Sequence, residues 1–503
     1  MVLPASAAFS QYTEDILRFS RTEQGSTARF RALGNAQTAL GGDLSSLNSN
    51  PAGIGLFTRS EFTFSPDFLS NKADAKYIET GSSVQKDKLG ISQVGLLFHS
   101  PSRRLKGQDL DKGWLSVNFG ASYNKNSNFN STVSYGAVNP RSSFADFIAD
   151  RSNFYLGNGD PANNSSALPR GWEDMAYSNY QTEYSPGGYF ATTSVNNNQR
   201  NITYTTGNQS DVNLGLAANY SNQLYIGLSV GLSSLKYDSD RTFTEAGANR
   251  EFDDQDPNFI GGSYRSDYRS YQQTDGSGIN VKLGLIYRPT PIVRFGFSFI
   301  SPTWYSLSDS YSEGLTTAYT RSNGTAILPA YTNSDATYNL EYNLRTPYKV
   351  NGGLAIIVSK IGLLTADVEY VDYSSMHFSS SGDIDTENNT NADIRELYQG
   401  ALNLKLGAEV KLSSPLFLRA GVNRNGNPYN NIDYNLTTYS AGLGYRMSSF
   451  YVDLTYTGTT DKYNTMPYSI STTYPDFDFT GPGDNAQIKN KRNNIYATVG
   501  FRF

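Results

Sequence analysis

The sequence predicts an all-β protein: a 14-stranded antiparallel transmembrane β-barrel with a small N-terminal helical plug, or hatch, in its lumen. Three observations predict this fold class. Apolar and polar residues alternate with a period of two through much of the chain. The connections between the alternating segments are short and long by turns. The segment 12–57 lacks this alternation and carries short helical patterns instead.

The alternating segments predict the strands. In QLYIGLSVGL, residues 223–232, every second residue from Leu224 to Leu232 is apolar, and the intervening residues are mostly Gly and Ser. Lipid cannot solvate the polar face of such a strand, so that face points into the lumen. Fourteen segments follow this pattern, at 60–68, 90–99, 113–124, 210–221, 223–236, 277–288, 292–303, 347–359, 361–373, 400–413, 415–425, 436–448, 449–459 and 493–503.

The connections favour a membrane barrel over a soluble sandwich or propeller. The turns SNQ, PTP, SKIG, SSP and SS join neighbouring strands at one end. Mostly long loops are predicted at the other end, at 69–89, 125–209, 237–276, 304–346, 374–399 and 460–492. This two-ended asymmetry with an even strand number is typical of outer-membrane barrels, and sandwiches and propellers give no reason for it. We therefore expect a location in the outer membrane of a Gram-negative bacterium, with the short turns and both termini at the periplasmic side.

Composition excludes several other classes of protein. The chain of 503 residues has 13% aromatic and 17% charged residues, unlike a charged disordered chain. Its net charge of −5 and the lack of a basic block argue against nucleic acid as a partner. Without Cys and with two His, it offers no disulfide and no Cys/His zinc site. No apolar run is long enough for a transmembrane helix, and we expect no metal and no cofactor.

The N-terminal region divides into two segments before the barrel at 58–503. MVLPASAAFSQ, residues 1–11, is typical of the end of a secretory signal peptide, and we interpret it as a signal-peptide remnant. Residues 12–57 carry the helical patterns TEDILRF and ALGNAQTAL and end in NPAGIG, a Gly- and Pro-rich turn before the first strand. Fourteen strands enclose more room than their own side chains fill, so we expect this segment to plug the lumen.

Three stretches resemble one known family, the FadL-type outer-membrane transporters of fatty acids and aromatic hydrocarbons. ARFRALGNAQTALGGDLSSLNSNPAGIGLFTRSEFTFSP resembles their N-terminal hatch, with a small-residue helix at 32–39, then Asp43 and Asn50-Pro51-Ala52. LRTPYKVNGGLAIIVSKIGLLTADVEYVDYSS and LNLKLGAEVKLSSPLFLRAGVNRNGNPYN resemble their barrel strands. The chain is similar to a Bacteroidetes-like member of this family, although the loops 125–209 and 460–492 are unusually long.

The resemblance implies a function that is not enzymatic. A hydrophobic small molecule is captured at the extracellular surface, and a shift in the plug releases it, in part sideways through a gap in the wall next to an early strand. On this resemblance, Asp43, Asn50, Pro51, Ala52 and Gly53 are candidates to line the ligand path. The alternative is that these residues form a capped turn that only seats the plug. Gly53 and Gly55 permit close backbone approach under either interpretation.

Charged residues on the predicted lumen face form a second group of candidates. Such residues either pair with each other and with the plug, or bind a ligand carboxylate by charge-assisted hydrogen bonds. The cations are candidates for ligand-carboxylate contacts: Lys282, Arg294, Lys349 and Arg419. The acidic members are Asp367, Glu369, Glu409 and Asp453.

Other motifs favour ordinary structural roles. GLSVG, residues 227–231, matches a serine-hydrolase pattern, but Ser229 falls inside an alternating strand rather than on a strand-to-helix elbow. The acidic runs 253–257 and 383–388 lack the spacing of an EF-hand, which favours solvated loops over calcium sites. His99 and His377 form no motif.

Three function classes remain open. The leading hypothesis is passive uptake of hydrophobic small molecules, with outer-membrane lipid as the surrounding partner. The second is a surface interaction protein, such as a type IX secretion cargo shuttle of the same barrel family, whose Tyr-rich loops would bind a protein partner. An adhesin or phage-receptor-like protein is the third. A continuous apolar groove leading to the hatch would favour transport, and a sealed lumen with ordered, extended loops would favour a partner role.

Overall fold

The computed structural model describes residues 5–103, 109, 111–156, 171–185, 187–249, 262–321, 324, 326–332, 336–358, 361–380, 384–468 and 485–503. Alternating sequence and backbone pairing together define the strands within these ranges. They are β1 Glu61–Tyr77, β2 Thr80–Pro101, β3 Trp114–Asn128, β4 Ser131–Asn139, β5 Thr182–Ser185, β6 Gly188–Ala191, β7 Asn197–Tyr220, β8 Leu224–Ala248, β9 Gly262–Tyr287, β10 Val293–Ile300, β11 Trp304–Arg321, β12 Ala326–Thr332, β13 Ala336–Arg345, β14 Lys349–Val358, β15 Gly362–Asp372, β16 His377–Ser380, β17 Gly400–Lys411, β18 Leu416–Asn425, β19 Leu436–Arg446, β20 Phe450–Thr465 and β21 Ala486–Arg502.

The strands close into a barrel with 14 strand positions, as the sequence predicts. Neighbouring positions pair antiparallel. The first six are β1, β2, β3, β7, β8 and β9. The next three each consist of two consecutive segments, β10 and β11, β13 and β14, and β15 and β16, and the last five are β17 to β21. β21 pairs with β1 from Arg502↔Glu61 to Gln487↔Lys76, so the sheet has no free edge around its lower half.

Three neighbouring strand positions are interrupted in mid-wall. The seventh breaks at 301–303 and the eighth at 346–348. The ninth breaks at 373–376, where a short 3-10 helix, Tyr373–Ser375, replaces the strand. Below the breaks β10 pairs with β14, and above them β11 pairs with β13. The ladder between the seventh and eighth positions is therefore interrupted at this level.

An exposed apolar band with aromatic edges surrounds the barrel. Exposed leucines such as Leu214, Leu228, Leu283 and Leu404 fill its middle. Two aromatic girdles border such a band in outer-membrane barrels. At the short-turn end the exposed aromatics are Trp114, Tyr220, Tyr287 and Tyr445, and at the other border they are Trp304, Tyr370, Tyr439 and Tyr456. This arrangement confirms the predicted outer-membrane location, and the short-turn end is hereafter called the periplasmic end.

The strands extend far beyond the predicted loop bounds at the extracellular end. β1 and β2 form a hairpin through most of 69–89, and β7, β8 and β9 are 24 to 26 residues long. The predicted loops 125–209, 237–276, 304–346 and 460–492 are therefore too wide, because long parts of them are paired strand. Outside the membrane both faces of a strand are polar, so the alternation that marks a strand is lost there.

The N-terminal segment fills the lumen at two levels. Helix α1, Ala5–Ser20, is followed by α2, Ala28–Ala32, and by two 3-10 helices, Leu44–Asn48 and Pro51–Leu56. Residues 27–57 form a disc in the periplasmic half, which is here called the plug. α1 instead rises toward the extracellular end, where the Tyr398 hydroxyl donates to the Thr13 carbonyl at 2.8 Å. The predicted position of the N-terminal end at the periplasmic mouth is therefore wrong.

Two other details of the predicted N-terminal segment differ in the structure. The pattern TEDILRF is helical, as the sequence predicts, but its helix α1 begins at Ala5 and so spans the predicted boundary between 1–11 and 12–57. ALGNAQTAL is mostly turn, because α2 ends where Gly34 and Asn35 take positive φ angles of 65° and 60°. No helix in the described residues is long and apolar enough to cross a membrane.

The long connection between β3 and β7 folds back over the extracellular end. Its helices α3, Phe144–Leu156, and α4, Trp172–Ser178, form a cap with the hairpin β5–β6. Phe144 is buried against Phe243 and Tyr268 of the wall, with ring centroids 5.1 and 4.1 Å away. α5, Ile384–Leu397, packs on α1, so the run 383–388 is helical from Ile384 rather than a loop. The run 253–257 lies outside the described residues.

Candidate functional site

The Asp43 side chain organises the centre of the plug. One carboxylate oxygen accepts from the Ser45 backbone N–H at 3.0 Å and caps the 3-10 helix that follows. The other accepts from the Thr27 hydroxyl at 2.7 Å. Asp43 therefore ties the start of α2 to the turn before the first 3-10 helix.

Asn50 connects the plug to the barrel wall. Its side-chain oxygen accepts from the Ala52 N–H at 3.1 Å, and its amide nitrogen donates to the carbonyls of Thr38 at 2.6 Å and Leu285 at 3.2 Å. Pro51 begins the second 3-10 helix, where its missing N–H costs nothing. The Gly53 N–H donates to the Asn50 carbonyl at 2.9 Å, and its own carbonyl accepts from Gly42. This geometry seats the plug.

A belt of inward-facing glycines receives backbone and side-chain atoms of the plug. A Cβ on Gly284 would lie 2.8 Å from the Ala52 nitrogen, and one on Gly95 would lie 2.6 Å from a Leu44 methyl. Glycine is needed where plug atoms approach the wall backbone this closely. Members of the belt that face plug atoms are Gly95, Gly120, Gly215, Gly227, Gly284, Gly296, Gly353, Gly407, Gly421 and Gly442. Because the belt spans most of the circumference, it fixes the plug in one position.

A chain of buried charges joins α2 to the wall. Glu409 accepts from Arg29 at 3.1 and 3.3 Å and from Arg419 at 2.6 Å. Arg419 also donates to Asp453 at 2.5 Å, and Asp453 accepts from Arg446 at 2.9 Å. Burial by itself would lower the pKa of Arg29, but the Glu409 carboxylate outweighs it, and the pKa of Arg29 is raised. The plug is therefore anchored electrostatically as well as by shape.

Three of the four predicted lumen cations, Lys282, Arg294 and Arg419, lie at or beside this interface between plug and wall. The Lys282 ammonium contacts Asp211 at 2.9 Å and Asn213 at 2.5 Å, and Arg294 donates to the Leu40 carbonyl at 2.6 Å. The wall carboxylate Asp367 accepts from the backbone N–H groups of residues 37 and 38 at 2.7 and 2.8 Å. Of the four predicted cations, Lys349 is the one that lines the large cavity described next, where it donates to the Thr22 hydroxyl at 2.5 Å.

A cavity of about 1150 Å³ lies above the plug, between α1 and the wall. The residues Asp43 and 50–53 lie outside its lining, so their predicted role in a ligand path stays a prediction. Charged side chains and nine tyrosines share the lining: Tyr135, Tyr237, Tyr311, Tyr373, Tyr398, Tyr429, Tyr434, Tyr463 and Tyr496. The cavity therefore offers aromatic surface and hydrogen-bonding groups together.

Arg21 is one of the cations that line this cavity. Its guanidinium carbon lies 4.5 Å from the Tyr434 ring centroid. Burial would lower the pKa of Arg21, but the phenolic oxygens of Tyr434 and Tyr373 outweigh that effect and the pKa is raised. Arg21 is not among the residues that the sequence predicts, because its partners Tyr373 and Tyr434 are about 350 and 410 residues away along the chain.

The wall has a gap beside the cavity, which is here called the β2–β4 gap. β2 and β3 pair only as far as Gln93↔Asn124, and above that level the described residues show no ladder between β2 and β4. Three side-chain bonds cross the gap instead: Ser82 Oγ to the Ser134 carbonyl at 2.5 Å, Lys86 Nζ to the Thr205 carbonyl at 3.3 Å, and Lys88 Nζ to Asn130 Oδ1 at 3.0 Å.

An ion pair closes the inner side of this gap. Lys125 Nζ lies 2.6 Å from an oxygen of Asp67, whose side chain is fully buried. Both residues also line the cavity, so the gap and the cavity are contiguous. β1 and β2 change register between Ser65 and Pro66, which is the signal in the sequence that could have pointed to an irregular wall here.

Comparison with known proteins gives the same architecture. No family model matches the sequence, and no curated protein matches it significantly. The solved structure of the Pseudomonas putida toluene transporter TodX matches 95% of this chain and 99% of its own, at 14% identity and a TM-score of 0.51. A Pseudomonas aeruginosa FadL homologue matches 96% and 99%, at 12% identity and a TM-score of 0.52. The chain has the fold of the FadL-type transporters.

The FadL-type fold accounts for the plug, the closed barrel and the strand count, all of which the sequence predicts. Ser229 lies in the middle of β8, fully buried in the lumen, rather than on an elbow. His99 contacts Asn118 on the neighbouring strand at 2.8 Å, whereas His377 is the first residue of β16, elsewhere in the wall. Among the described residues, no group of His, Asp and Glu is arranged to hold a metal ion.

Proposed function

We propose that the protein is a non-enzymatic uptake channel of the outer membrane that admits small molecules with apolar surface and releases them through the β2–β4 gap. The observation that carries the proposal is the contiguity of the cavity with that gap, above a plug that blocks the direct route to the periplasm. The solved structures that share this fold include a toluene transporter, which supports hydrophobic cargo.

The cavity lining narrows the kind of molecule expected. Tyrosine rings supply flat apolar contact, while Arg21 and Lys349 supply cationic donors. A pure hydrocarbon would desolvate these charges without compensating them. The cargo is therefore an amphipathic molecule with an apolar body and an acceptor group, such as a long-chain fatty acid or an aromatic compound with a polar substituent.

The gap gives the cargo a way out into lipid. Leu89 and Ile91 of β2 are exposed on the outer face at this level, 78% and 44% accessible, so an apolar molecule that leaves the gap meets membrane-facing side chains. Opening requires loss of the Asp67–Lys125 ion pair and of the three side-chain bonds that cross the gap, but no ladder hydrogen bond. It also requires loss of two contacts from β1, Asn71 Nδ2 to the Asn130 carbonyl at 3.3 Å and the Tyr77 ring on the Tyr135 ring. A displacement of β4 away from β1 and β2 then opens the gap while the plug body stays seated.

A reducible thiol cross-link across the gap tests this proposal. The chain contains no cysteine, so the double variant Lys88→Cys/Asn130→Cys can be joined at one defined place by a short bifunctional methanethiosulfonate, which spans the distance that the lysine side chain spans in the unmodified protein.

We expect uptake of radiolabelled oleate by cells to fall when the variant is cross-linked and to recover on reduction. The matched control is Thr437→Cys/Thr460→Cys, two outward-facing residues directly opposed across a ladder that is already paired. Full uptake by the cross-linked gap variant would refute release through the gap.

The interaction-protein hypothesis rests on a separate observation. β7, β8 and β9 continue for many residues beyond the extracellular girdle and carry exposed tyrosines, Tyr204 and Tyr271 among them. Exposed tyrosines on a rigid support suit contacts with a protein partner. Replacing both by Ser would abolish partner capture under this hypothesis and leave oleate uptake unchanged under the transport proposal.

A further inference from the structure

A row of side chains on the outer face of the barrel crosses five strands at the level where three of them are interrupted. The register places Leu232, Ile279, Trp304, Arg345 and His377 directly opposite one another on β8, β9, β11, β13 and β16. Directly opposed residues of an antiparallel pair have Cβ atoms about 4.5–5.5 Å apart. The row is here called the Trp–Arg–His row.

A second row lies immediately above and is hydroxyl- and amide-rich. Ser277, Ser306, Asn343 and Ser379 are opposed in the same way on β9, β11, β13 and β16. Together the two rows line an outward-facing recess of about 730 Å³. The breaks at 301–303, 346–348 and 373–376 adjoin this recess, which is why the otherwise smooth wall is indented here.

The recess lies at the extracellular border of the apolar band. Leu232, Ile279 and Trp304 are about half exposed, at 50%, 46% and 50%, and belong to the lipid-facing side. Above them the outward residues of β8 and β9 turn polar, with Lys236 and Asp275 two pairs higher in the register. The recess therefore sits at the headgroup level of the outer leaflet, where an exposed Trp is typical.

Arg345 is unusual at this depth. It is exposed on the lipid side, and its Nη2 donates a long hydrogen bond to the Ser375 carbonyl at 3.5 Å. Within the part of the chain that the structure describes, no carboxylate forms an ion pair with it. A cation that faces lipid is costly unless it finds a counter-charge, and Arg binds phosphate through two parallel hydrogen bonds. His377 and the hydroxyl row add further donors around the same point.

The geometry points to a binding site for a phosphorylated lipid of the outer leaflet. The phosphate is held by Arg345 and His377, the sugar or glycerol hydroxyls contact the row from Ser277 to Ser379, and the acyl chains lie over Leu232, Ile279 and the apolar band below. The site is on the outer wall, away from the cavity and the β2–β4 gap, so it does not depend on the proposed uptake route.

Binding of a defined lipid tests the assignment. Folded, delipidated protein in detergent is titrated with diphosphorylated lipid A and monitored by native mass spectrometry, with heat-modifiable migration in SDS gels as the check on folding. We expect one tightly bound lipid per barrel for the unmodified protein. Arg345→Gln should weaken binding about tenfold, the size expected for the loss of a charge-assisted hydrogen bond, and Arg345→Lys less.

The control is Arg269→Gln, which removes another exposed arginine of β9 at a level above the apolar band and should bind lipid A as the unmodified protein does. Dephosphorylated lipid A should bind as weakly as the Arg345→Gln variant. Equal affinity of folded Arg345→Gln and unmodified protein would overturn the site. Displacement of lipid A by millimolar inorganic phosphate alone would overturn the lipid assignment and indicate a small-anion site.

Discussion

Arg29 of the plug and Glu409 of the barrel wall form a two-point contact, Nε to Oε2 at 3.1 Å and Nη2 to Oε1 at 3.3 Å. The two side chains are only 11% and 8% exposed, so the pair is removed from bulk water. The same carboxylate also accepts from Arg419, which makes Glu409 the shared counter-charge of one plug cation and one wall cation. Glu409 is thus the acidic side chain through which the charged groups of the plug and of the wall are coupled.

Glu409→Gln should loosen the plug. The change leaves two buried guanidinium groups facing a neutral amide, and breaking a buried pair in this way costs about 3–5 kcal/mol. We expect a lower midpoint for thermal unfolding and intermittent channel openings in planar bilayers. Glu341→Gln, on an exposed outward position of β13, is the control and should change neither property. If Glu409→Gln changes neither the unfolding midpoint nor the number of channel openings, the chain of buried charges does not hold the plug.

Two adjacent glycines of β14 provide a test of the glycine belt. A Cβ on Gly353 would lie 2.8 Å from the Thr38 Cβ and 3.0 Å from the Ala39 nitrogen, whereas a Cβ on Gly352 would meet nothing within 4 Å. Gly353→Ala should therefore shift the plug or destabilise the fold, by about 1–3 kcal/mol for overpacking. Gly352→Ala should be neutral. Urea unfolding of the two variants compares them directly, and equal stabilities would contradict a tight seat at this position.

The parts of the fold that the sequence predicts are those that the membrane enforces. Lipid on one side and water or plug on the other impose strict alternation, so segments such as 223–236 are recognisable as strands. Beyond the bilayer that constraint disappears: β8 continues to Ala248 through KYDSDRTFTEAGA, where both faces are largely polar and the pattern is lost. For this reason the sequence predicts loops where the structure has the extracellular extensions of the strands.

The candidate sites also contain parts that the sequence predicts and parts that it does not. The local capping by Asp43 and Asn50 is predictable from short-range sequence, as Asx residues before Ser and Pro favour such turns. The partners of Arg29 and the neighbours of Arg345 are not predictable in this way, because those contacts depend on the register of strands that are remote in sequence. The glycine belt is partly visible in the sequence, since inward positions of many strands carry Gly at a similar distance from the short turns. The plug surface that requires these glycines is known only from the structure.

The lipid-facing assignment can be tested on β8 alone. Leu228 is exposed in the middle of the apolar band, so Leu228→Arg should destabilise the barrel by about 2–4 kcal/mol if it lies at the bilayer midplane. Ser239→Arg, on the same strand but lining the cavity, should be tolerated because water and counter-charges are available there. The fraction of heat-resistant folded barrel in outer-membrane preparations measures both. A similar loss for the two variants would contradict the assigned faces.

Deletion of residues 12–57 asks whether the N-terminal segment occludes the lumen. The barrel should survive, because its ladder closes through β1 and β21 without help from the plug, and the cap cluster around Phe144 contains no residue of the segment 12–57. Removing the segment takes away the disc in the glycine belt and the part of α1 from residue 12 to Ser20. The remaining lumen is too wide for wall side chains to fill.

The expected result of the deletion is a large rise in single-channel conductance in planar bilayers. The cavity lining extends to Asn464 and Thr465 near the extracellular end of β20, so the emptied lumen would continue to that end of the barrel. Asn50→Ala should behave differently: it removes the bonds to Thr38 and Leu285, but the glycine belt and Arg29 still hold the disc, so conductance stays low. A folded deletion variant with unchanged conductance would show that the α3–α4 cap, and not the plug, seals the barrel.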